Sequence, residues 1–234
     1  MSPFPLATRV RLAAVLAAAL AAPLAGAQGV ALDAPAPESV DARLVRAVYG
    51  VEAPVLVVPF QVVNDTAYPV FFGASPALGA GALIAGTDLG PALQMLASQG
   101  LTFGTTSALK RSVRRPRPYV ALDGVAARDR QHEVDEVSDP HSFPSGHTSM
   151  AFATATSLSL SYPEWYVIVP AAAWAATMGA ARVWHGVHYP SDVAAGAALG
   201  IASGVAVHVL LADVLGGSDD DEAAVVPFQI VIPL

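Results

Sequence analysis

The chain has 234 residues, 54% of them hydrophobic and 13% charged, with no cysteine and a formal net charge of −7. It therefore has no disulfide framework and no thiolate zinc site, and its acidic balance argues against general nucleic-acid binding. The charged fraction is about half of the ~25% usual for soluble domains, and mean hydropathy is +0.51. Both values point to membrane contact or to a tightly packed, Ala-rich helical bundle.

Residues 1–27 read as an export signal. Arg9 and Arg11 form a basic start, 12–24 is an apolar run, and Ala25-Gly26-Ala27 is a small-residue cleavage pattern. The run is short of the ~20 residues that span a bilayer, so cleavage is expected rather than retention as an anchor. Residues 28–40 are Pro- and Ala-rich and read as a flexible leader. Residues 41–51 suit a short surface helix. The stretch 54–63 is dense in valine and interrupted by Pro59, and 68–86 is apolar and rich in Gly and Ala. Residues 91–109 carry no charge at all.

Composition then changes sharply. Lys110-Arg111-Ser112-Val113-Arg114-Arg115-Pro116-Arg117 holds five of the 12 basic residues in eight positions. Residues 119–143 are polar and read as a loop or short lid. Three apolar stretches of helical length follow, at 148–161, 165–181 and 193–215, punctuated by Gly and Pro. Asp219-Asp220-Asp221-Glu222 is a solvated break, and 223–234 reads as a Val/Ile-rich strand. The expectation is an all-α bundle of about five to six core helices over 41–216, then an acidic break and strand-like tail over 217–234. One internal echo, 57–63 against 225–231, matches at six of seven positions. It allows a small ribbon but is too short for a repeat.

Three clusters lie where apolar stretches end or begin: Lys110 with Arg117-Pro118; Pro144-Ser145-Gly146-His147; and Arg182, His188 and Asp192. A phosphoryl group in transfer spreads charge over three oxygens, and fixed cations and backbone N–H groups stabilise it. Lys110, Arg117 and Arg182 supply the cations. Ser145 and Gly146 stand where a helix N-terminus would aim free N–H groups at an anion. Asp192, four residues after His188, can fix that ring's tautomer and leave the other nitrogen free to attack. His147, on a separate segment, suits the general acid that protonates a leaving alcohol. Each of these residues alone has a plain structural reading as a solvated charge, a cap or a helix-end cation. Their order and spacing together favour a site.

These clusters resemble the signature of the type 2 phosphatidic acid phosphatase superfamily: Lys, six residues, Arg-Pro; then Pro-Ser-Gly-His; then Ser-Arg, five residues, His, three residues, Asp. The motifs span 110–192, and the helical pattern extends the likeness to about 68–215. The resemblance implies a helical-bundle phosphatase working through a phosphohistidine on His188, with no metal and no cofactor. Lys110, Arg117, Ser145, Gly146 and Arg182 would bind phosphate, with His147 as acid and Asp192 orienting His188. Ala181 departs from the pattern, where the family usually has Ser. Arg114 and Arg115 fall outside the spacing and read as outer-shell or surface charges. His132, His141 and His185 match no motif position.

The superfamily's branches leave the substrate open between small phosphate monoesters and lipid phosphates or diphosphates. The vanadium-haloperoxidase branch is disfavoured by length. A non-catalytic phosphate- or lipid-binding membrane protein is the other alternative, favoured only by Ala181. Six apolar stretches, the N-terminal one included, suit a membrane member whose motifs share one side. The basic cluster on the expected outer side runs against the positive-inside tendency. The expectation is an exported protein, membrane-associated with a periplasm-facing site or soluble in the periplasm, with no nucleic-acid partner and no oligomeric state assigned.

Overall fold

The computed structural model describes residues 39–128 and 140–215. Seven helices cover most of them, and among the described residues there is no strand beyond one isolated bridge pair, Pro116 with His141. In chain order they are α1 (Val40–Tyr49), α2 (Pro54–Ala85), α3 (Gly90–Val113), α4 (Pro118–Ala121), α5 (Gly146–Ser161), α6 (Trp165–Trp184) and α7 (Pro190–Leu215). The all-α bundle expected from the apolar stretches is what forms. The tail at 223–234 and most of the lid segment, 129–139, lie outside the described residues.

One expectation changes. Residues 57–63 do not pair as a ribbon; they belong to α2, which runs for 32 residues through Pro59, Pro69 and Pro76. Pro54 begins the helix, where its missing N–H costs nothing. Two hydroxyls of this helix bond to backbone carbonyls, one within it and one across to its neighbour. Thr66 donates to the Val62 carbonyl at 2.9 Å, and Ser75 donates across to the Ala92 carbonyl of α3 at 2.8 Å.

Helix α5 is the axis of the bundle, packing against α3, α6 and α7. Its contact with α7 is close because Gly196, Gly200 and Gly204 repeat at every fourth residue and face it. A Cβ on Gly200 would stand 2.2 Å from the Ser149 carbonyl oxygen, and one on Gly196 would stand 2.7 Å from that of Ser145. This is the small-residue spacing that lets two helix backbones approach. On the opposite flank, Val63, Ala67 and Phe71 of α2 join Ala151 and Ala155 of α5 and Ala175, Met178 and Ala181 of α6 in one apolar cluster.

Helix α3 is polar inward and apolar outward. Gln94, Ser98, Thr102, Thr106 and Lys110 recur at intervals of four on its buried face. Ser98 and Thr102 donate to the carbonyl four residues back, at 2.8 and 2.7 Å, and Gln99 donates to Thr154 of α5 at 3.0 Å. Outward stand Leu93, Leu96, Leu101 and Phe103, all exposed, and elsewhere Phe72, Leu83, Ile84 and Trp165 are more than 70% exposed. Three helices are long and apolar enough to cross a membrane: Pro54–Ala85, Trp165–Trp184 and α7 over Pro190–Leu211.

Candidate active site

The end of α3, the start of α5, the end of α6 and the start of α7 meet at one end of the bundle. Two devices fix their meeting. The segment after α3 is tied to the one before α5: Ser142 donates its N–H to the Arg115 carbonyl at 2.8 Å and its hydroxyl to that of Pro116 at 3.1 Å. Between α6 and α7 the chain turns at Gly186, which has φ 76°. A Cβ there would stand 2.9 Å from the Ala126 carbonyl oxygen, so both the backbone region and the space demand glycine. The turn sends His188 inward until it is 1% exposed.

His188 is the hub. Its Nε2 lies 3.5 Å from Arg117 Nη1, and its Nδ1 lies 3.6 Å from Asp192 Oδ2. An arginine has no acceptor and a carboxylate no donor, so the tautomer that suits these two neighbours carries its proton on Nδ1, with Asp192 at 3.6 Å, longer than a hydrogen bond. Asp192 is wholly buried at the first turn of α7. Its Oδ2 accepts the Tyr189 N–H at 2.8 Å, the reciprocal half of a capping box. The Ser145 N–H donates to the Asp192 carbonyl at 3.0 Å, which joins the start of α5 to the start of α7.

The three cations of the motifs converge here. Lys110, Arg117 and Arg182 are all buried, and all act on His188. Burial lowers the His188 pKa well below its ordinary 6.5, and the charges of Arg117, Lys110 and Arg182 lower it further, against a hydrogen bond that the ring donates to the Ser142 backbone carbonyl. The folded ring therefore gains its proton only at lower pH than an ordinary histidine. The unfolded chain takes up this proton near pH 6.5 and the folded one does not, so stability falls as pH falls below that point. In protein carrying 13C-labelled histidine, the signal lost in His188→Ala is expected not to titrate near 6.5. A midpoint at 6.5 would contradict this placement.

Lys110 Nζ donates to the His141 carbonyl at 2.7 Å. Arg182 Nη1 donates to Asn64 Oδ1 of α2 at 2.6 Å. Ser145 caps α5, its Oγ 2.9 Å from Thr148 Oγ1. At Gly146 an added Cβ would meet only ordinary contacts, 3.8 Å from Lys110 Cε and Thr106 Cγ2. No protein atom demands glycine there; the open space faces the lysine. His147, on the first turn of α5, is held edge-on by Tyr68 and Phe71 of α2, at ring-centroid distances of 5.4 and 5.9 Å.

The remaining sequence readings resolve as follows. Ala181 is fully buried in the apolar cluster beside Met178 and Ala151. Arg114 is exposed and ends α3 in the left-handed region at φ 52°. Arg115 stands outside the three motif cations, its side chain 27% exposed, and bonds Asp192 Oδ1 at 2.7 Å and Asp41 of α1 at 2.8 Å. His185 is buried beside the Trp184 ring, His141 contributes its carbonyl, and His132 lies outside the described residues. Sequence reasoning missed Asn64 and Asp41. Both stand in helices without a motif, and each pairs with a residue more than 70 positions away.

A buried histidine between a carboxylate and three cations, at the mouth of a helix N-terminus, has the charge and geometry to receive an oxyanion at one end of a helical bundle. The model of the PAP2 superfamily matches residues 91–214, and the chain belongs to that superfamily. It is 42% identical over 93 residues to the bacitracin transport permease protein BcrC of Bacillus licheniformis, across 39% of this chain and 41% of that protein. It is 43% identical over 103 residues to the lipid A 1-phosphatase of Rhizobium etli, across 39% and 38%. The matches thus span less than half the length of these curated relatives. Among solved structures, Aquifex aeolicus LpxE aligns with TM-score 0.60 and 27% identity over 73% of this chain and 96% of that one. A transmembrane PAP2-type phosphatidylglycerolphosphate phosphatase from Bacillus subtilis aligns with TM-score 0.64 and 23% identity over 88% and 96%, a likeness of fold.

Proposed function

We propose that this protein is a membrane-embedded phosphatase that hydrolyses lipid phosphates or diphosphates through a phosphohistidine on His188, without a metal. The observation that carries this is the buried His188 ring, with Nδ1 towards Asp192 and Nε2 towards Arg117. Lys110, Arg117 and Arg182 hold the phosphate oxygens together with the start of α5, through the Gly146 N–H and the Ser145 hydroxyl; the Ser145 N–H is taken by the Asp192 carbonyl. The Nε2 lone pair attacks phosphorus, and the ester oxygen leaves with a proton from His147. Asp192 balances the positive charge that develops on the imidazole. Water, deprotonated by His147, then breaks the P–N bond, and inorganic phosphate departs. The buried cations do the electrostatic work that a divalent ion does elsewhere.

Two features favour a lipid substrate. Large apolar side chains cover the outside of the bundle, far beyond what a water-exposed surface carries. An apolar cavity of about 450 Å³ lies between α2, α3, α5 and α6, lined by Val70, Leu78, Met95, Leu158 and Trp174 among others. Trp174 packs on Phe71, which packs on His147, so the cavity adjoins the side from which the leaving group departs. The export-signal pattern of residues 1–27 supports a periplasm-facing site.

Intact cells expressing the protein are expected to hydrolyse an added short-chain lipid phosphate faster than a water-soluble phosphate monoester. A chelator should leave the rate unchanged, and vanadate should inhibit it by mimicking the pentacoordinate transition state. Activity that requires added metal would contradict the mechanism, activity that appears only after permeabilisation would contradict the orientation, and a preference for the soluble ester would contradict the substrate class.

A further inference from the structure

Arg115 stands apart from the phosphate-binding cations, yet it touches the acid that orients His188. Asp192 is wholly buried, and its two oxygens have separate tasks. Oδ2 takes the Tyr189 N–H and faces the His188 ring. Oδ1 takes Arg115 Nη1 at 2.7 Å. A buried carboxylate without a counter-charge is costly, and Arg115 supplies that charge from outside the phosphate pocket.

The guanidinium is itself held on several sides. Its plane lies 3.8 Å over the Tyr189 ring. Nη1 also donates to Ser191 Oγ at 2.7 Å, and Nη2 donates to Asp41 Oδ2 at 2.8 Å. Asp41 in turn accepts the Ser191 N–H at 3.1 Å and the Ser191 hydroxyl. Helix α1, the segment after α3 and the first turn of α7 are thereby joined through one guanidinium and two carboxylates.

We propose that Arg115 is a positioning residue for the reaction: with Asp41 it locks the Asp192 carboxylate so that the His188 ring stays aimed at phosphorus. The inference rests on the phosphatase reading above. An ion-pair network that merely fastened α1 to the bundle would have the same contacts but a different kinetic signature. A residue acting through Asp192 changes kcat and leaves KM, because the cations that bind phosphate are untouched. Its effect also vanishes once Asp192 can no longer act, whereas an independent structural loss adds in full.

The test is steady-state kinetics on Arg115→Gln, Asp192→Asn and the double variant, with a lipid phosphate as substrate. Arg115→Gln is expected to lower kcat about 10- to 100-fold with KM nearly unchanged, and to cost less than about twofold in the Asp192→Asn background. Arg115→Lys, with an unchanged melting temperature, should recover part of kcat, since it keeps the charge but not the planar fork. A kcat for Arg115→Gln within about twofold of the parent, a change confined to KM, or a full additive loss in the double variant would overturn the proposal. A parent protein that hydrolyses no phosphate ester would overturn the phosphatase reading first, and this inference with it.

Discussion

Replacing His188 with alanine is expected to abolish turnover while leaving a folded protein that still binds phosphate. The side chain is small, almost fully buried and at the centre of the site. Among the described residues no other histidine is given both a carboxylate beside one ring nitrogen and a cation beside the other. Losing a nucleophile that acts as part of a unit commonly costs about four orders of magnitude or more, ~5.5 kcal/mol in transition-state stabilisation. Phosphate binding should survive, because Lys110, Arg117 and Arg182 are held by partners other than the ring: the His141 carbonyl, the Val187 carbonyl and Asn64. The check is kcat on a lipid phosphate together with protection of the protein by inorganic phosphate against heat. A variant with near-parental kcat would remove His188 from the chemistry. Loss of phosphate binding along with turnover would instead make the ring a structural prop.

Gly200→Leu is expected to have the second-largest effect, and it acts at a distance. Gly200 is about two turns down α7 from Asp192, but its Cα sits against the backbone of α5. A Cβ would come within 2.2 Å of the Ser149 carbonyl oxygen and 2.8 Å of the Ala153 nitrogen. These are backbone atoms and cannot swing aside, so the helices must separate. Overpacking of this kind typically costs about 1–3 kcal/mol, occasionally more, and a clash against backbone belongs at the upper end. Separation also lengthens the bond from the Ser145 N–H to the Asp192 carbonyl, moving the start of α5 away from His188. Both melting temperature and kcat should fall. Gly104→Ala, on an open face of α3 where nothing lies within 4 Å, should be neutral. If Gly200→Leu melts like the parent, the close α5–α7 contact is not what aligns the site.

Much of this site was legible in the sequence because phosphate chemistry constrains residue type and spacing together. Lys110, Arg117, Ser145, Gly146, Arg182, His188 and Asp192 sit at helix ends, and helix ends are readable from capping residues and from abrupt changes of composition. The bundle was legible for a related reason: long apolar stretches punctuated by Gly and Pro have few alternatives. What escaped has a physical cause as well. Val57 to Val63 has the composition of a strand, but packing in an apolar bundle outweighs β-propensity, and α2 absorbs Pro59. Arg115 looked like one more charge in a basic run, because its pairing with Asp192 spans 77 positions and depends on the turn at Gly186. Asn64, buried on α2 and bonded to Arg182, carries no motif at all. Long-range pairs of this kind exist only once the helices are stacked.

The most direct test of the central claim is to trap the covalent intermediate. A phosphate ester labelled with 32P is mixed with the protein, the reaction is quenched in base, and the labelled peptide is sequenced by mass spectrometry. The mechanism predicts label on the peptide that contains His188, stable in base and released by acid as a P–N bond should be, and none in His188→Ala. Label on His147, an acid-stable phosphoester on another residue, or turnover with no phosphoprotein formed would contradict it.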